Sequence, residues 1–278
     1  MKNIHYSLKK RRTRQGVGYI LPFYIGFVIF FLVPFVWCFV YSFTSGIGGV
    51  EFVGLKNYSS VFGSKAFRLA LKNTFQFMTL GVFLLVLLSF TLALLLYKGF
   101  RGAAFFRMAF LFPMIVPIAT LVMTMQIFFS KNSSGSYGEK SFWILLGLYI
   151  WKNCGYVMIL LLAGLFNIPQ DLFRAAQMEG ASKGQILRKI TIPLMVPMFF
   201  FAIVISVANS FKCYREAYLI GGDNPHSSIY MLQHFMNNNY ENLNYQRLSV
   251  AALFVFLIIS IVLMCLFWIK KKYMEVEL

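Results

Sequence analysis

Long stretches without charge constrain this chain most. No charged residue occurs between Val17 and Val50, and further apolar stretches follow along the chain. A helix needs about 20 mostly apolar residues to cross the hydrocarbon core of a bilayer. Because lipid cannot hydrogen-bond to the backbone, each such stretch has to be helical. We therefore predict an all-α polytopic membrane protein with six transmembrane helices, at residues 19–43, 73–97, 108–130, 141–165, 190–211 and 248–269.

The composition excludes an ordinary soluble domain. Hydrophobic residues make up 59% of the chain and charged residues 13%, whereas soluble domains have about 25% charged residues. The net charge of +17 raises the question of nucleic acid. The basic residues lie between the apolar stretches rather than in one stripe, so we expect lipid contact and no nucleic acid. The cysteines and histidines are dispersed, which predicts no metal site and no cofactor bound by this chain.

Basic residues set the orientation. Lysine and arginine are more frequent in residues 1–18, in the loops 98–107 and 167–193, and in the tail 270–278 than in the remaining loops. Because cytoplasmic loops carry the excess of basic residues, we expect both termini in the cytoplasm. The chain then divides into a cytoplasmic N-terminal segment (1–18), a transmembrane domain (19–269) and a cytoplasmic tail (270–278).

Prolines lie inside the first, third and fifth predicted spans. Proline removes a backbone donor and kinks a helix. Two interpretations stay open, because membrane helices tolerate proline as ordinary packing irregularity and because broken helices also surround central cavities. The positions are Pro22, Pro34, Pro113, Pro117, Pro193 and Pro197.

The loop at residues 167–193 has the signals of a folded element. Pro169 suits the first turn of a helix, and Gly180 is a natural helix stop. Ser182 and Gln185 then form the pattern of a capping box, which predicts a second helix start. We expect two short helices with a sharp bend at Gly180. A rigid elbow with an apolar face is typical of a segment that binds in a groove of a partner.

The same loop resembles a family motif. Its residues Arg174-Ala175-Ala176, Glu179-Gly180-Ala181 and Ile190-x-Ile192-Pro193 resemble the EAA motif of ATP-binding-cassette (ABC) importer permeases. Phe52-x-Gly-Leu-x-Asn-Tyr58 and Gly221-Gly-x-x-Pro225 resemble sugar permeases of the glycerol-phosphate and maltose type. Arg174 stands where the family has Glu, and Glu179 replaces Asp. A reversed charge at Arg174 means either an ion pair of swapped polarity with the ATPase or a solvated helix residue.

The resemblance implies the transmembrane domain of a type I ABC importer. The permease domain (19–269) would contain a coupling loop (167–193) that contacts ABC ATPase subunits, which use ATP and Mg. Further implied partners are a second, different permease subunit, an extracytoplasmic solute-binding protein and a sugar or oligosaccharide solute. The chain itself would transport without bond chemistry, in the plasma membrane of a prokaryote. The implied coupling residues are Arg174, Ala175, Ala176, Glu179, Gly180, Ala181, Ile190 and Pro193.

Polar residues near the outer ends of the fourth and fifth spans are candidates for solute contact, since polar groups in a span are costly. Lys152 is a charged residue well inside a predicted span. The alternative to solute contact is that its long side chain extends to the membrane surface and keeps its ammonium group in water. For Asn209, the alternative to solute contact is a hydrogen bond to another helix. If Lys152 and Lys212 both face the cavity, an anionic solute is favoured. The resemblance to maltose-type permeases implies solute contacts from Tyr149, Lys152, Asn153, Asn209 and Lys212.

A secondary transporter or a channel is the rival class. Proton or sodium coupling needs acidic groups inside the membrane. We expect no Asp or Glu within a span, which counts against this class. An ABC importer for a non-sugar or anionic solute is the second alternative.

Overall fold

The described residues form mainly helices. The computed structural model describes residues 18–46, 48, 51–117, 119–121, 123, 138, 140–222 and 225–274, with 269–274 by their backbone alone. A short antiparallel strand pair, β1 (Thr44–Ser45) and β2 (Glu51–Phe52), follows the first helix. The helices in the described residues are α1 (Gly18–Phe43), α2 (Lys56–Gly63), α3 (Lys65–Tyr97), α4 (Ala103–Ile115), α5 (Lys140–Phe166), α6 (Gln170–Met178), α7 (Lys183–Ile186), α8 (Ile192–Leu194), α9 (Val196–Lys212), α10 (Tyr214–Gly221), α11 (Leu232–Glu241) and α12 (Tyr245–Met274).

Among the described residues, five helical segments are long and apolar enough to cross a membrane. They correspond to the first, second, fourth, fifth and sixth predicted spans. The predicted third span, residues 108–130, begins in α4 and continues largely outside the described residues. The all-α polytopic fold is therefore confirmed, whereas the third span, and with it the count of six spans, stays a prediction. The five segments are Gly18–Phe43, Lys65–Tyr97, Lys140–Phe166, Val196–Gly221 and Tyr245–Trp268.

Two helices begin at other residues than the predicted spans. α3 begins at Lys65 rather than at residue 73, because a helix can extend beyond the hydrocarbon into basic turns that a hydropathy pattern leaves out. The fifth apolar helix begins at Val196 rather than at residue 190 and continues through α10 to Gly221. A π turn at Leu187–Thr191 and the three-residue helix α8 occupy its predicted start.

The backbone is irregular at several of the prolines. Val116 is extended, with φ −66° and ψ 125°, as expected for a residue that precedes a proline. This ends α4 before Pro117. A π turn at Val28–Leu32 lies just before Pro34. Proline thus breaks or distorts the helices at these positions, as its missing donor predicts.

The described residues divide into two compact units. The first contains the described residues up to Gly63 and Asn239–Phe256. Within it the Asn57 amide donates hydrogen bonds to the carbonyl oxygens of Thr44 at 2.8 Å and Ser42 at 3.1 Å. These bonds join the start of α2 to the end of α1. The asparagine of the motif at residues 52–58 therefore has a structural role.

The second unit contains Ser64–Asn238 and Leu257–Leu278. Its core is formed mainly by α3, α5 and α9, with fully buried side chains on α3 and α5. At Gly155 the backbone of α4 approaches α5 so closely that an added Cβ would lie 1.8 Å from the carbonyl oxygen of Phe110. Only glycine allows this crossing, because any side chain would displace backbone atoms.

Residues 225–231 pack on α3 in the second unit. The buried amide of Asn73 donates to the carbonyl oxygens of Ser227 and Tyr230. The neighbouring Thr74 hydroxyl accepts from the backbone N–H of Leu232 at 3.0 Å. Three hydrogen bonds therefore hold this segment at the start of α11 rather than leaving it as a free connector.

Candidate functional site

The loop at residues 167–193, called the elbow loop below, contains the predicted bend. α6 ends at Met178, and Gly180 has φ +80°. The N–H of Ala181 donates to the carbonyl oxygen of Ala176 at 2.9 Å, and the N–H of Gly180 donates to that of Gln177 at 3.0 Å. These two bonds define a Schellman motif with glycine at the left-handed position. The predicted helix stop at Gly180 is confirmed.

The second helix of the elbow loop begins with the predicted capping box. The Ser182 N–H donates to Oε1 of Gln185 at 2.7 Å, and the Gln185 N–H donates to the Ser182 hydroxyl oxygen at 3.4 Å. Each side chain thus satisfies a backbone donor that the first turn of α7 leaves free. Because both ends of the bend are hydrogen-bonded locally, the elbow loop has a defined shape.

The outer surface of α6 is partly apolar. Met178 is 90% exposed and Leu172 is 43% exposed. No residue of α6 is buried. Exposed apolar side chains beside a rigid bend are typical of a docking surface.

The charges on this surface are balanced locally. Nη1 of Arg174 lies 3.3 Å from Oδ1 of Asp171, one turn earlier, and both side chains are exposed. Exposed pairs of this kind contribute little to stability. The positive charge that replaces the family's glutamate therefore has a neighbour of opposite sign on its own helix.

The remaining candidate coupling residues lie around the bend. Ala175, Glu179 and Pro193 are exposed, whereas Ala176, Ala181 and Ile190 are half-buried. Ile190 belongs to the π turn at Leu187–Thr191, and Pro193 lies in α8. The structure brings all of them into one segment, between α5 and α9.

Three of the candidate solute residues meet where α5 packs against α9 in the second unit. Tyr149 and Asn153 are on α5, and Asn209 is on α9. The Tyr149 ring is buried, with 2% exposed, and its hydroxyl donates to the carbonyl oxygen of Ser206 at 2.7 Å. Asn209 Nδ2 donates to Oδ1 of Asn153 at 3.0 Å, and Asn153 Nδ2 donates to the Tyr149 carbonyl oxygen. Tyr149 therefore supports helix packing and offers no surface to a solute in this conformation. Asn209 thus makes the hydrogen bond to another helix that was the alternative to solute contact.

Lys152 is paired with a residue that the sequence did not reveal. Its Nζ lies 2.8 Å from Oε1 of Glu216, whose side chain is 8% exposed. Among the described residues, the other carboxylate oxygen of Glu216 has no hydrogen-bond partner. Glu216 lies in the helical segment Val196–Gly221, beyond the predicted end of the fifth span at residue 211, so the absence of acidic residues from the membrane spans stays a prediction.

The available signal for Glu216 was weak. Mostly apolar residues follow Glu216 through Ile220, so the hydropathy pattern is compatible with a fifth helix that continues past Lys212. Lys212 itself is exposed and makes no ion pair with another described residue. Within the described part of the chain, no group of three or more His, Cys, Asp or Glu residues could hold a metal ion.

A polytopic helical fold with a structured elbow loop between two of its long apolar helices is the architecture that the resemblance to importer permeases predicts. The chain belongs to the family of binding-protein-dependent transport system inner membrane components, whose model matches residues 85–272. It is therefore a transport subunit in the plasma membrane that crosses it several times. The resemblance read from the EAA-like motif is confirmed.

Several named relatives are similar over most of their length. The chain is 28% identical over 265 residues to the trehalose/maltose transport system permease protein MalF of Thermococcus litoralis, covering 87% of this chain and 88% of that one. It is 26% identical over 279 residues to the arabinooligosaccharides transport system permease protein AraP of Bacillus subtilis, covering 90% and 88%. A chain from the crystal structure of a bacterial ABC transporter involved in the import of the acidic polysaccharide alginate matches with a TM-score of 0.79 and 20% identity, covering 96% of this chain and 99% of that one. The structural likeness confirms the fold.

Proposed function

We propose that this chain is one pore-forming permease subunit of an ATP-driven carbohydrate importer. Membership of the binding-protein-dependent family supports the importer, and the named relatives for trehalose, maltose and arabinooligosaccharides support a sugar or oligosaccharide solute. The solute moves by alternating access, in which nucleotide binding to a partner biases one of two conformations. The observation that carries the proposal is the hydrogen-bonded elbow loop in a chain of this family.

The elbow loop is the proposed contact with the ATPase. Arg174, Ala175, Ala176, Glu179, Gly180, Ala181, Ile190 and Pro193 form or support its surface, and the ATP and Mg are used by the partner. The exposed Met178 side chain offers an apolar anchor that a groove of the ATPase would bury. An anchor of this kind contributes to binding mainly when it is fully desolvated.

Met178 tests this contact directly. Because Met178 is 90% exposed, Met178→Glu leaves the fold intact and places a charge in the proposed interface. We expect the tagged Met178→Glu chain, purified from its own cell membranes, to lose vanadate-sensitive ATP hydrolysis. The matched control Met178→Leu keeps an apolar side chain and should retain it. Equal hydrolysis in both preparations would contradict the contact.

The polar residues on α5, α9 and α10, called the polar cluster below, favour a neutral solute over an anionic one. They are Lys152, Asn153, Asn209, Lys212 and Glu216. Glu216 balances the charge of Lys152 at 2.8 Å, so Lys152 does not offer a free positive charge to an acidic sugar. Asn153, Asn209 and Lys212 are the remaining proposed contacts, whose amide and ammonium groups donate to hydroxyl oxygens. Competition for uptake tests the solute class: trehalose, maltose or arabinooligosaccharides should compete, and alginate oligosaccharides should not.

The proposed assembly has further partners and a defined orientation. We infer a second, different permease subunit and an extracytoplasmic solute-binding protein, with the permease domain at residues 19–269 and both termini in the cytoplasm. The excess of basic residues in segments 1–18 and 270–278 supports this orientation. Cysteine labelling of intact cells tests it, since a cysteine added at either terminus should react with a membrane-permeant reagent only.

A further inference from the structure

Two helices of the second unit end, and a third begins, at one cluster of aromatic rings at the start of the elbow loop. Tyr97 is the last residue of α3 and Phe166 the last residue of α5, and their ring centroids are 5.3 Å apart. Phe173, in the first turn of α6, has its ring centroid 6.4 Å from that of Tyr97. Gln170, the first residue of α6, donates from Nε2 to the Tyr97 hydroxyl at 2.5 Å. Tyr97, at the end of α3, therefore contacts the end of α5 and the first turn of α6 in the elbow loop.

A fourth helix joins the same cluster through Arg107 of α4. Its guanidinium carbon lies 5.6 Å from the centroid of the Phe166 ring, which is within the range of a cation–π interaction. Nη2 of Arg107 also donates to the carbonyl oxygen of Leu96, next to Tyr97, at 3.5 Å. Arg107 makes no ion pair with another described residue. The positive charge thus depends on the ring and the carbonyl group of this cluster.

Tyr97 contacts α6 directly, and the half-buried Phe173 side chain of α6 also packs against the hydrophobic core of the second unit. Leu172, Arg174 and Met178 of α6 are exposed. In the described part of the chain, the ring contact and the side-chain hydrogen bond that α6 makes to a membrane helix both fall on Tyr97. Tyr97 thus joins α6 to the end of α3, in addition to the chain connection from α5 at residues 167–169.

We propose that Tyr97 is a positioning residue that couples the elbow loop to α3, so that displacement of the elbow loop moves α3 and α5 together. This inference rests on the proposed contact between the elbow loop and the ATPase. Tyr97 contributes no bond to solute or nucleotide. Its role is to transmit a displacement of one helix to another. The relevant measurement is therefore how efficiently ATP hydrolysis is coupled to import, rather than an affinity.

Tyr97 variants test the inference in the complete transporter, reconstituted with its ATPase and binding protein in liposomes. The probe is whichever of trehalose, maltose and arabinooligosaccharide the wild-type complex imports, and the readout is the ATP hydrolysed per molecule imported. We expect Tyr97→Phe to raise this ratio by about threefold, because one hydrogen bond is lost. Tyr97→Leu also loses both ring contacts and should raise it by about tenfold. ATPase co-purification should stay at the wild-type level in both.

Two further variants separate coupling from general damage. Gln170→Leu removes the same hydrogen bond from an exposed position, so it should match Tyr97→Phe, and the double variant should be no worse than either. Tyr156→Phe is the matched control: Tyr156 is 38% exposed on α5 and its hydroxyl makes no hydrogen bond to another described residue. Its ratio should stay at the wild-type value.

The outcomes distinguish the inference from the proposal beneath it. A wild-type ratio in Tyr97→Leu overturns the inference, and so does a loss of assembled complex in Tyr97→Phe and Gln170→Leu, since that would make the contact structural only. If Tyr97→Leu alone fails to assemble, the two milder variants decide. Retention of the ATPase by Met178→Glu would instead overturn the proposed docking of the elbow loop.

Discussion

Replacement of Gly180 isolates the backbone geometry of the elbow loop. Gly180 has φ +80°, and a Cβ added there would meet no atom within 4 Å. The cost of Gly180→Ala is therefore backbone strain alone, about 1–2 kcal/mol for an L-residue in the left-handed region. A difference of this size changes the ratio of bent to unbent elbow loop by roughly 5-fold to 30-fold.

The side chains at position 180 should rank by their tolerance of the left-handed region. Gly180→Asn should lose least, because asparagine adopts this conformation several-fold more often than most residues. Gly180→Val should lose most, because a β-branched residue at positive φ is a genuine outlier. The measurement is solute-stimulated ATP hydrolysis and uptake in cells, each normalised to the amount of permease in the membrane. We expect activity to fall in the order Gly, Asn, Ala, Val.

Gly184 provides the matched control for this series. It lies in the helical part of the elbow loop, in α7, and an added Cβ there also meets no atom within 4 Å. Alanine is favoured over glycine inside a helix, so Gly184→Ala should keep wild-type activity. Wild-type activity in both Gly180→Ala and Gly180→Val would refute the reasoning, as would an equal loss in Gly184→Ala.

Three other predictions concern the second unit. Gly155→Ala should lower the free energy of unfolding in detergent by about 1–3 kcal/mol through overpacking. The control Gly147→Ala, whose Cβ would meet open space, should change this free energy by less than about 0.5 kcal/mol. Thermal unfolding of the two purified variants provides the comparison. Lys152→Met leaves the buried carboxylate of Glu216 unpaired and should cost about 1–3 kcal/mol, and the double variant Lys152→Met/Glu216→Gln should recover most of the loss in the same assay. Arg174→Ala should change stability by less than about 1 kcal/mol, because its ion pair is exposed; a large fall in unfolding temperature would contradict this.

The elbow loop was predictable because its signals are local. The glycine at 180 and the serine and glutamine of the capping box act on backbone groups within five residues of themselves. Such short-range hydrogen bonds need no knowledge of tertiary structure. The bend, the second helix start and the cap were therefore all predicted correctly from one segment of the chain.

The polar cluster was only partly predictable because its contacts are long-range. Lys152 and Glu216 are separated by 64 positions, and the hydropathy pattern ended the fifth span before Glu216. Burial of Tyr149 likewise depends on α3 and α9, which pack around it and which its own neighbours in sequence do not reveal. The residue types predicted that this region is polar, whereas the structure was needed to show that Lys152 pairs with Glu216 and that their charges balance.

Helix α5 connects the two candidate sites. Lys152 and Asn153 lie near its middle, and Phe166 at its end contacts Tyr97 beside the elbow loop. At 1.5 Å per residue the helix spans roughly 20 Å between Lys152 and Phe166. Because a helix hydrogen-bonded along its length moves nearly as one body, a displacement at Phe166 would reach the Lys152–Glu216 pair. Gly155 lies between the two sites, where α4 approaches α5 so closely that an added Cβ would lie 1.8 Å from the carbonyl oxygen of Phe110.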